Sequence, residues 1–201
     1  MTLIYGFDPL CGWCYGAVPM MRELRRRRPD LPVRLAMSGL VTGARVGPYA
    51  DVEGYIRGAS SRLEAVTGRS PSDAFYELIR RPGVTGDSAP PAVAIDAVRR
   101  SRPEAALSFA HALIEAHFER GMDLNDRDAY APLLSEHAPE VVLPDLHDRA
   151  LADAAFAEGR RLGIASFPSL ILVQGKRIRK LPSVYCADDL IPLVEGRAAA
   201  L

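Results

Sequence analysis

The 201-residue sequence has few cysteines, only Cys11, Cys14 and Cys186. Three cysteines cannot form the dense disulfide framework that stabilises small secreted domains. The chain also lacks an excess of either charge, because 25 basic residues balance 25 acidic ones, so nothing in its net charge attracts nucleic acid or an anionic membrane. No run approaches the roughly 18–20 apolar residues of a membrane-spanning helix. These features exclude a disulfide-rich secreted domain and a chain with a membrane-spanning helix. They also argue against binding to nucleic acid or to an anionic membrane through net charge.

The sequence begins without the pattern of an export signal. Its first eight residues contain no lysine or arginine and already include Asp8, whereas a secretory signal begins with positive charge. Because Met1 has the character of a native start, we expect a cytoplasmic protein. The composition, 48% hydrophobic and 25% charged, is that of a globular protein, and the length suits one domain with an insertion.

The first 40 residues carry a β-α-β pattern. Residues 2–8 are apolar and rich in aromatic and β-branched types, which predicts a buried strand. A helical pattern over 12–28 and an alternating one over 33–37 follow. This order favours parallel pairing of the two strands through a right-handed crossover.

The middle of the chain is predicted to be mostly helical. Ser101-Arg102-Pro103-Glu104 resembles a capping box, which predicts a helix from there to Gly121. The other predicted helices of this stretch lie at about 50–66, 72–80, 92–100 and 126–137.

An α-β-β-α pattern closes the chain. A helix over 148–162 is predicted to stop at Gly163. Strands over 169–174 and 177–181 form a hairpin pattern, and a helix over 188–195 follows. Since the two ends match each other, we interpret the chain as an α/β core with an all-helical insertion subdomain. The predicted core comprises residues 1–40 and 148–201, and the insertion residues 41–147.

Cys11-Gly12-Trp13-Cys14 is a C-x-x-C motif between a predicted strand and a predicted helix. The first turn of a helix offers free backbone amides and the positive end of the helix dipole, and both stabilise a thiolate at Cys11. Two intervening residues allow a disulfide to close. The pattern predicts an exposed Cys11 that attacks a substrate and a more buried Cys14 that resolves the mixed disulfide.

The cysteine pair has two other interpretations, half of a zinc site or inert core residues. Zinc needs two further ligands, usually a second Cys/His pair. His111 and His117 are six residues apart and fall on different helix faces, and Cys186 has no partner at close spacing. We expect Cys186 to be partly buried. The pattern favours redox chemistry and implies no metal.

A proline stands before the strand at 169–174, in Ser166-Phe167-Pro168-Ser169. A cis peptide bond at this position would leave the Phe167 backbone facing a bound peptide. The local sequence by itself favours a trans proline that starts a strand, since only about 5–6% of X-Pro bonds in folded proteins are cis.

Two segments resemble the DsbA family of thioredoxin-like thiol–disulfide oxidoreductases: Asp8–Gly16 (DPLCGWCYG) and Gly163–Leu170 (GIASFPSL). The resemblance extends over nearly the whole chain and implies a thioredoxin-like fold with an inserted helical domain. It also implies that Cys11 is the nucleophile, Cys14 the resolving thiol and Pro168 a cis-proline that lies against the active-site disulfide.

The residues between the cysteines differ from those of secreted DsbA oxidases, which typically carry Pro-His where this chain has Gly12-Trp13. Without that histidine we expect a milder oxidant, nearer to the cytoplasmic FrnE-like branch. A sister branch, the 2-hydroxychromene-2-carboxylate isomerases and kappa-class glutathione transferases, has serine where Cys11 stands and binds glutathione. Cys11 argues against that activity but leaves glutathione as a reductant or ligand.

Several neighbours of the cysteines are further candidates for the site. Trp13 is predicted either to expose its indole to an apolar substrate or to pack against the helical subdomain. Gly12, Tyr15 and Phe167 are candidates for lining the same groove. Asp8 is a candidate for proton transfer to the second thiol, although accepting hydrogen bonds from the turn before the helix is the simpler role.

The sequence therefore predicts a thiol–disulfide oxidoreductase acting on protein or low-molecular-weight thiols and disulfides. Two alternatives stay open: a glutathione-dependent transferase or isomerase on the same scaffold, and a non-catalytic thioredoxin-fold binding module. Neither nucleic acid nor a membrane is an expected partner.

Overall fold

The computed structural model describes residues 1–197, and residues 198–201, the end of the predicted core segment, lie outside the described part. The strands are β1 (Thr2–Gly6), β2 (Val33–Ala36), β3 (Gly47–Pro48), β4 (Thr85–Gly86), β5 (Ser169–Gln174) and β6 (Arg177–Leu181). The α-helices are α1 (Gly12–Arg27), α2 (Glu53–Thr67), α3 (Asp73–Arg80), α4 (Ala89–Ser101), α5 (Ala106–Arg120), α6 (Ala131–His137), α7 (Arg149–Arg161) and α8 (Ala187–Glu195). No helix within residues 1–197 is both long and apolar enough to cross a bilayer.

Four strands from the two ends of the chain form one sheet in the order β2-β1-β5-β6. β1 pairs in parallel with β2, as the β-α-β pattern predicts, and antiparallel with β5, which forms the predicted hairpin with β6. Successive side chains of β1 enter different apolar clusters, Leu3 and Tyr5 on one face and Ile4 on the other. β1 is thus the buried centre of the sheet.

The helices between the two sheet segments pack on α1 as well as on each other. α1 contacts both α2 and α5, and α5 also contacts α3, α4 and α6. The predicted α/β fold with a helical insertion is confirmed. The insertion is not wholly helical, because β3 and β4 pair through two residues each. The domain boundaries at 40/41 and 147/148 stay a prediction.

The start of α5 differs from the predicted capping box. The helix begins at Ala106, and its N-cap, Ala105, makes no side-chain hydrogen bond. The Glu104 carboxylate instead accepts a 2.6 Å hydrogen bond from Arg102, which also binds Glu140. The predicted box fails because Ser101, its expected N-cap, is the last residue of α4. The predicted helix at 126–137 is likewise shorter, with a 3-10 turn at Arg127–Tyr130 before α6.

The last turn of α7 packs directly on the backbone that follows β2. A Cβ atom placed on Gly159 would lie 2.6 Å from the carbonyl carbon of Met37 and 3.0 Å from the Ser38 Cβ. Only glycine permits this approach, because a backbone neighbour cannot rotate away as a side chain can.

We therefore expect Gly159→Ala to lower the free energy of unfolding by about 1–3 kcal/mol through overpacking. Gly58→Ala is the matched control, since Gly58 lies in α2 with open space around its Cβ position. That substitution should instead raise stability by about 0.5–1 kcal/mol through helix propensity. Urea unfolding measures both, and equal stabilities for the two variants would contradict the expectation.

Candidate active site

The two cysteines of the motif stand at the beginning of α1. Cys11 is the N-cap of the helix, and Cys14 lies in its first turn. No acidic residue occupies the first turn, so no local carboxylate competes for its free amides. Both cysteines are free thiols in this structure. The predicted strand–motif–helix context of the pair is confirmed.

Burial separates the two thiols less than the sequence predicts. Cys14 is fully buried, but Cys11 is also only 5% exposed, so the expectation of an exposed Cys11 is wrong. The helical insertion and the loop before β5 cover Cys11, and neither is evident from the motif. Cys11 nevertheless lines the wall of an open pocket, whereas Cys14 does not.

The chemical environment of Cys14 disfavours its thiolate. Burial is the main cause that raises the pKa of this thiol well above its usual value. The hydrogen bond with Cys11 and the charges of Cys11 and Asp8 raise that pKa further. Cys14 therefore remains protonated under conditions in which a more accessible thiol ionises.

The loop before β5 brings a backbone acceptor to Cys11. The Phe167–Pro168 peptide bond is cis, which confirms the prediction made from the family resemblance. The Phe167 carbonyl oxygen accepts a 3.6 Å hydrogen bond from the Cys11 thiol. Pro168 is buried, and Phe167 is partly buried beside the same pocket.

The Asp8 carboxylate lies fully buried behind the motif and accepts three hydrogen bonds. The donors are the Leu10 amide at 3.0 Å, the Leu40 amide at 2.7 Å and the Ser88 hydroxyl at 3.0 Å. The predicted hydrogen bond from the turn before α1 is thus present. Burial raises the pKa of Asp8 to about 6, although the hydrogen bonds oppose the shift.

An aromatic pair lies on the outer side of the motif. The Trp13 ring packs against Tyr185, with 5.5 Å between centroids, and Trp13 also lines the pocket with residues of α2. Trp13 is partly buried, so each of its two predicted environments is partly correct. Burial, and then the charges of Cys11 and Cys14, raise the pKa of Tyr185 to about 12.

Tyr185 is a site residue that the sequence does not identify. It belongs to no motif, and its only signal is a position just before α8. Its neighbour Cys186 is exposed, so the expectation that Cys186 is partly buried is wrong. Cys186 lies at the N-cap of α8, where its side chain leaves the core.

Tyr15 does not line the pocket. Its hydroxyl donates to Glu119 at 3.2 Å, and its ring stacks on Phe118 with 5.0 Å between centroids. The Arg69 guanidinium lies 3.9 Å from the centre of the Tyr15 ring and also pairs with Glu119. Tyr15 therefore joins α1 to the helical insertion, and Phe118, on which it stacks, lines the pocket in its place.

A pocket with a cavity volume of about 230 Å³ opens beside Cys11. Gly12 and Trp13 of the motif and Phe167 of the loop before β5 form one side. The other side comes from the insertion, which sequence reasoning did not resolve into single residues. Its contributors include Tyr49, Tyr55, Ile56, Ala59, Ser60, Leu63, Phe75 and Phe118.

The described residues offer no cluster of three or more His, Cys, Asp or Glu side chains suited to a metal ion. His117 is engaged by the Tyr49 hydroxyl at 3.1 Å and by the Met122 carbonyl at 2.8 Å. Burial lowers the pKa of His111 to about 3 and that of His117 to about 4, so both are neutral at pH 7.

Comparison with known proteins gives structural relatives only, since no family model and no curated protein matches the chain. The cytosolic disulfide reductase DsbM from Pseudomonas aeruginosa shares 27% identity over 98% of both chains, with a TM-score of 0.83. A structure of the same protein with GSH gives a TM-score of 0.77 at the same identity and coverage. A Nitrosomonas europaea protein, named as a candidate protein disulfide isomerase, shares the fold at 19% identity, 97% and 96% coverage, and a TM-score of 0.75.

The fold is therefore that of the DsbA-like thiol–disulfide oxidoreductases, a thioredoxin-like core with a helical insertion. The resemblance drawn from the two sequence segments is confirmed. Within this class, the similarity to DsbM extends over nearly the full length of both chains.

Different accessibility of the two motif thiols predicts selective alkylation. In a Cys186→Ser background, iodoacetamide at about pH 7 should modify Cys11 of the reduced, folded protein at least about tenfold faster than Cys14, which is buried and has a raised thiol pKa. Peptide mass spectrometry measures both rates. Unfolding in urea should make the two rates similar, and similar rates in the folded protein would refute this assignment.

The raised pKa of Asp8 predicts a pH-dependent stability. An acid whose pKa is about 6 when folded and 3.8 ordinarily binds more protons in the folded state, so its ionisation destabilises the protein as pH rises through this window. Relative to Asp8→Asn, the wild type should lose up to about 3 kcal/mol of unfolding free energy between about pH 4 and pH 6.5. Urea unfolding across this range tests it, with the exposed Asp51→Asn as control. If the unfolding free energy of the wild type instead increased relative to that of Asp8→Asn as the pH rises, the prediction would be wrong.

Proposed function

We propose that this protein is a thiol–disulfide oxidoreductase whose redox centre is the Cys11–Cys14 pair. The observation that carries the proposal is the arrangement of these thiols at one helix N-terminus, with Cys11 on an open pocket and Cys14 buried behind it. A ligand in the pocket contacts the Cys11 sulfur. The Cys14 sulfur is buried, so it reacts only with a group that is already bonded to Cys11. This is the geometry that two successive thiol–disulfide exchanges require.

In the reductive direction, the Cys11 thiolate attacks one sulfur of a substrate disulfide and expels the other as a thiolate. The Cys14 sulfur then attacks Cys11 and releases the second half of the substrate. Two electrons pass to the substrate, and the protein is left with a Cys11–Cys14 disulfide. A low-molecular-weight thiol such as glutathione supplies the electrons that reopen this disulfide.

Three groups assist these steps in the proposed mechanism. The free amides at the beginning of α1 stabilise negative charge on Cys11. Asp8 takes the proton that Cys14 must lose before it attacks, since the pKa of this carboxyl is raised to about 6 and its charge acts on Cys14. The Phe167–Pro168 segment holds the substrate at the Phe167 backbone.

We favour the reductive direction, with glutathione as the reductant. The motif lacks a histidine that would stabilise a reduced thiolate strongly, so the oxidising power is expected to be low. DsbM, which shares 27% identity, is a cytosolic disulfide reductase and has a structure with GSH. The same similarity supports a cytosolic location and a division into a core of residues 1–40 and 148–201 with an insertion at 41–147.

Substitution of single cysteines tests the proposed division of labour. Cys11→Ser should lower the rate of disulfide reduction by at least about 10³-fold, because the attacking sulfur is lost. Cys14→Ser should block resolution and accumulate a mixed disulfide on Cys11, detectable by intact mass. The exposed Cys186→Ser is the matched control and should retain wild-type rates.

These variants also separate the two alternatives. A glutathione-dependent transferase or isomerase would retain its activity in Cys11→Ser. A non-catalytic binding module would show no disulfide reduction in the wild type. Either result would overturn the oxidoreductase assignment.

A further inference from the structure

The surface of the pocket beside Cys11 is mainly apolar, and no charged side chain lines it. None of its lining residues is Asp, Glu, Lys, Arg or His, and its polar side-chain groups are the hydroxyls of two serines and two tyrosines, the Trp13 indole N–H and the Cys11 thiol itself. Leu10, Leu63 and Phe75 are typical of the remainder. Any group that enters the pocket must leave water for an apolar surface.

The one buried hydroxyl on the α2 side is already occupied. Ser60 is 7% exposed and donates a 2.8 Å hydrogen bond to the carbonyl oxygen of Ile56, one helical turn earlier. The Tyr49 hydroxyl is likewise engaged with His117. These groups offer little to a polar ligand, and a carboxylate placed here would lack a cationic partner and lose its hydration.

The pocket is also concave and joined to the reactive sulfur. It lies between the start of α1, the Phe167 loop and helices of the insertion, so walls surround it on several sides. Such a shape suits a compact group rather than an extended chain. Because Cys11 is part of the wall, the occupant is the group attached to the sulfur that bonds to Cys11.

We propose that the preferred substrates are low-molecular-weight disulfides in which the sulfur bonded to Cys11 carries an uncharged aromatic or branched aliphatic group. This inference rests on the proposed function and specifies its substrate class. Glutathione carries two carboxylates and an ammonium group, for which the lining side chains offer no charged partner. As the reductant it bonds to Cys11 only transiently, and the selective group of a substrate is the uncharged one.

The reaction is the exchange described above, with the apolar group R on one sulfur. Cys11 attacks R–S–S–R′, the S–S bond breaks, and R′S⁻ leaves while R remains in the pocket on the Cys11–S–S–R disulfide. Attack by Cys14 releases RS⁻ and forms the Cys11–Cys14 disulfide. A low-molecular-weight thiol then returns two electrons.

The test compares matched disulfides in single turnovers of the reduced, full-length protein. Trp13 is the only tryptophan and stands between the cysteines, so its fluorescence reports the oxidation of the pair. The probes are 2-phenylethyl 2-hydroxyethyl disulfide, bis(2-hydroxyethyl) disulfide and 3,3′-dithiodipropionate. Each rate constant is divided by the rate constant of the same disulfide with 2-mercaptoethanol, which removes intrinsic reactivity.

We expect the phenylethyl probe to react at least about tenfold faster than the hydroxyethyl probe, and the dianionic probe to be the slowest. Equal corrected rates would overturn the substrate class and leave the oxidoreductase function standing. No reaction with any probe would instead refute the proposed function itself. A peptide disulfide with phenylalanine next to cysteine that outpaced the phenylethyl probe would overturn the restriction to small molecules.

Neighbouring serines on α2 provide matched variants. Ser60→Asp places a charge in the pocket and should remove the preference for the phenylethyl probe, whereas Ser61→Asp changes an exposed position and should retain it. Ala59→Leu, which narrows the pocket without a buried charge, should also reduce the preference if Ser60→Asp does not fold. An unchanged preference in a folded Ser60→Asp or Ala59→Leu variant would place the apolar group elsewhere.

Discussion

Three hydrogen bonds to the buried carboxylate of Asp8 hold together the segments that surround the reactive thiols. They come from the turn before α1 (Leu10), from the loop after β2 (Leu40) and from the beginning of α4 (Ser88). A buried carboxylate needs such partners, because an uncompensated one would lose its hydration without replacement. Asp8 thereby ties the first strand to the helical insertion, and its charge reaches Cys14 as well.

Tyr15 of α1 forms a second connection between the core and the insertion. The Tyr15 ring is held between Phe118 and the Arg69 guanidinium, which also donates to the Tyr15 carbonyl oxygen at 3.2 Å. Because Arg69 is mostly buried and pairs with two glutamates, this contact is better defined than an exposed ion pair. The two connections fix the insertion over the motif, and the space left between them is the pocket. The pocket is lined by residues of both parts, Gly12 and Trp13 of the motif among them and Ile56 and Leu63 of the insertion.

Local pattern was sufficient for much of the fold and for the reactive pair. The strand before the motif, the helix after it, the hairpin around Gly175 and the helix stop at Gly163 follow from periodicity and from glycine at positive φ. The roles proposed for Cys11 and Cys14 rest on their spacing and on the helix N-terminus. The capping box before α5 failed because α4 extends through Ser101, which the four-residue motif does not reveal.

The sequence by itself determined the chemistry of this protein, because the C-x-x-C spacing and its place at a helix start are local properties. Only the tertiary structure decided which groups surround the two thiols. The pocket walls, the near-complete burial of Cys11, the outward path of Cys186 and the contact of Tyr185 with Trp13 join residues far apart in the chain. No periodicity encodes such neighbours, since they depend on how helices of the insertion pack over α1. For the same reason Tyr15, adjacent to Cys14 in sequence, lies outside the pocket, whereas Tyr49 and Phe75 line it.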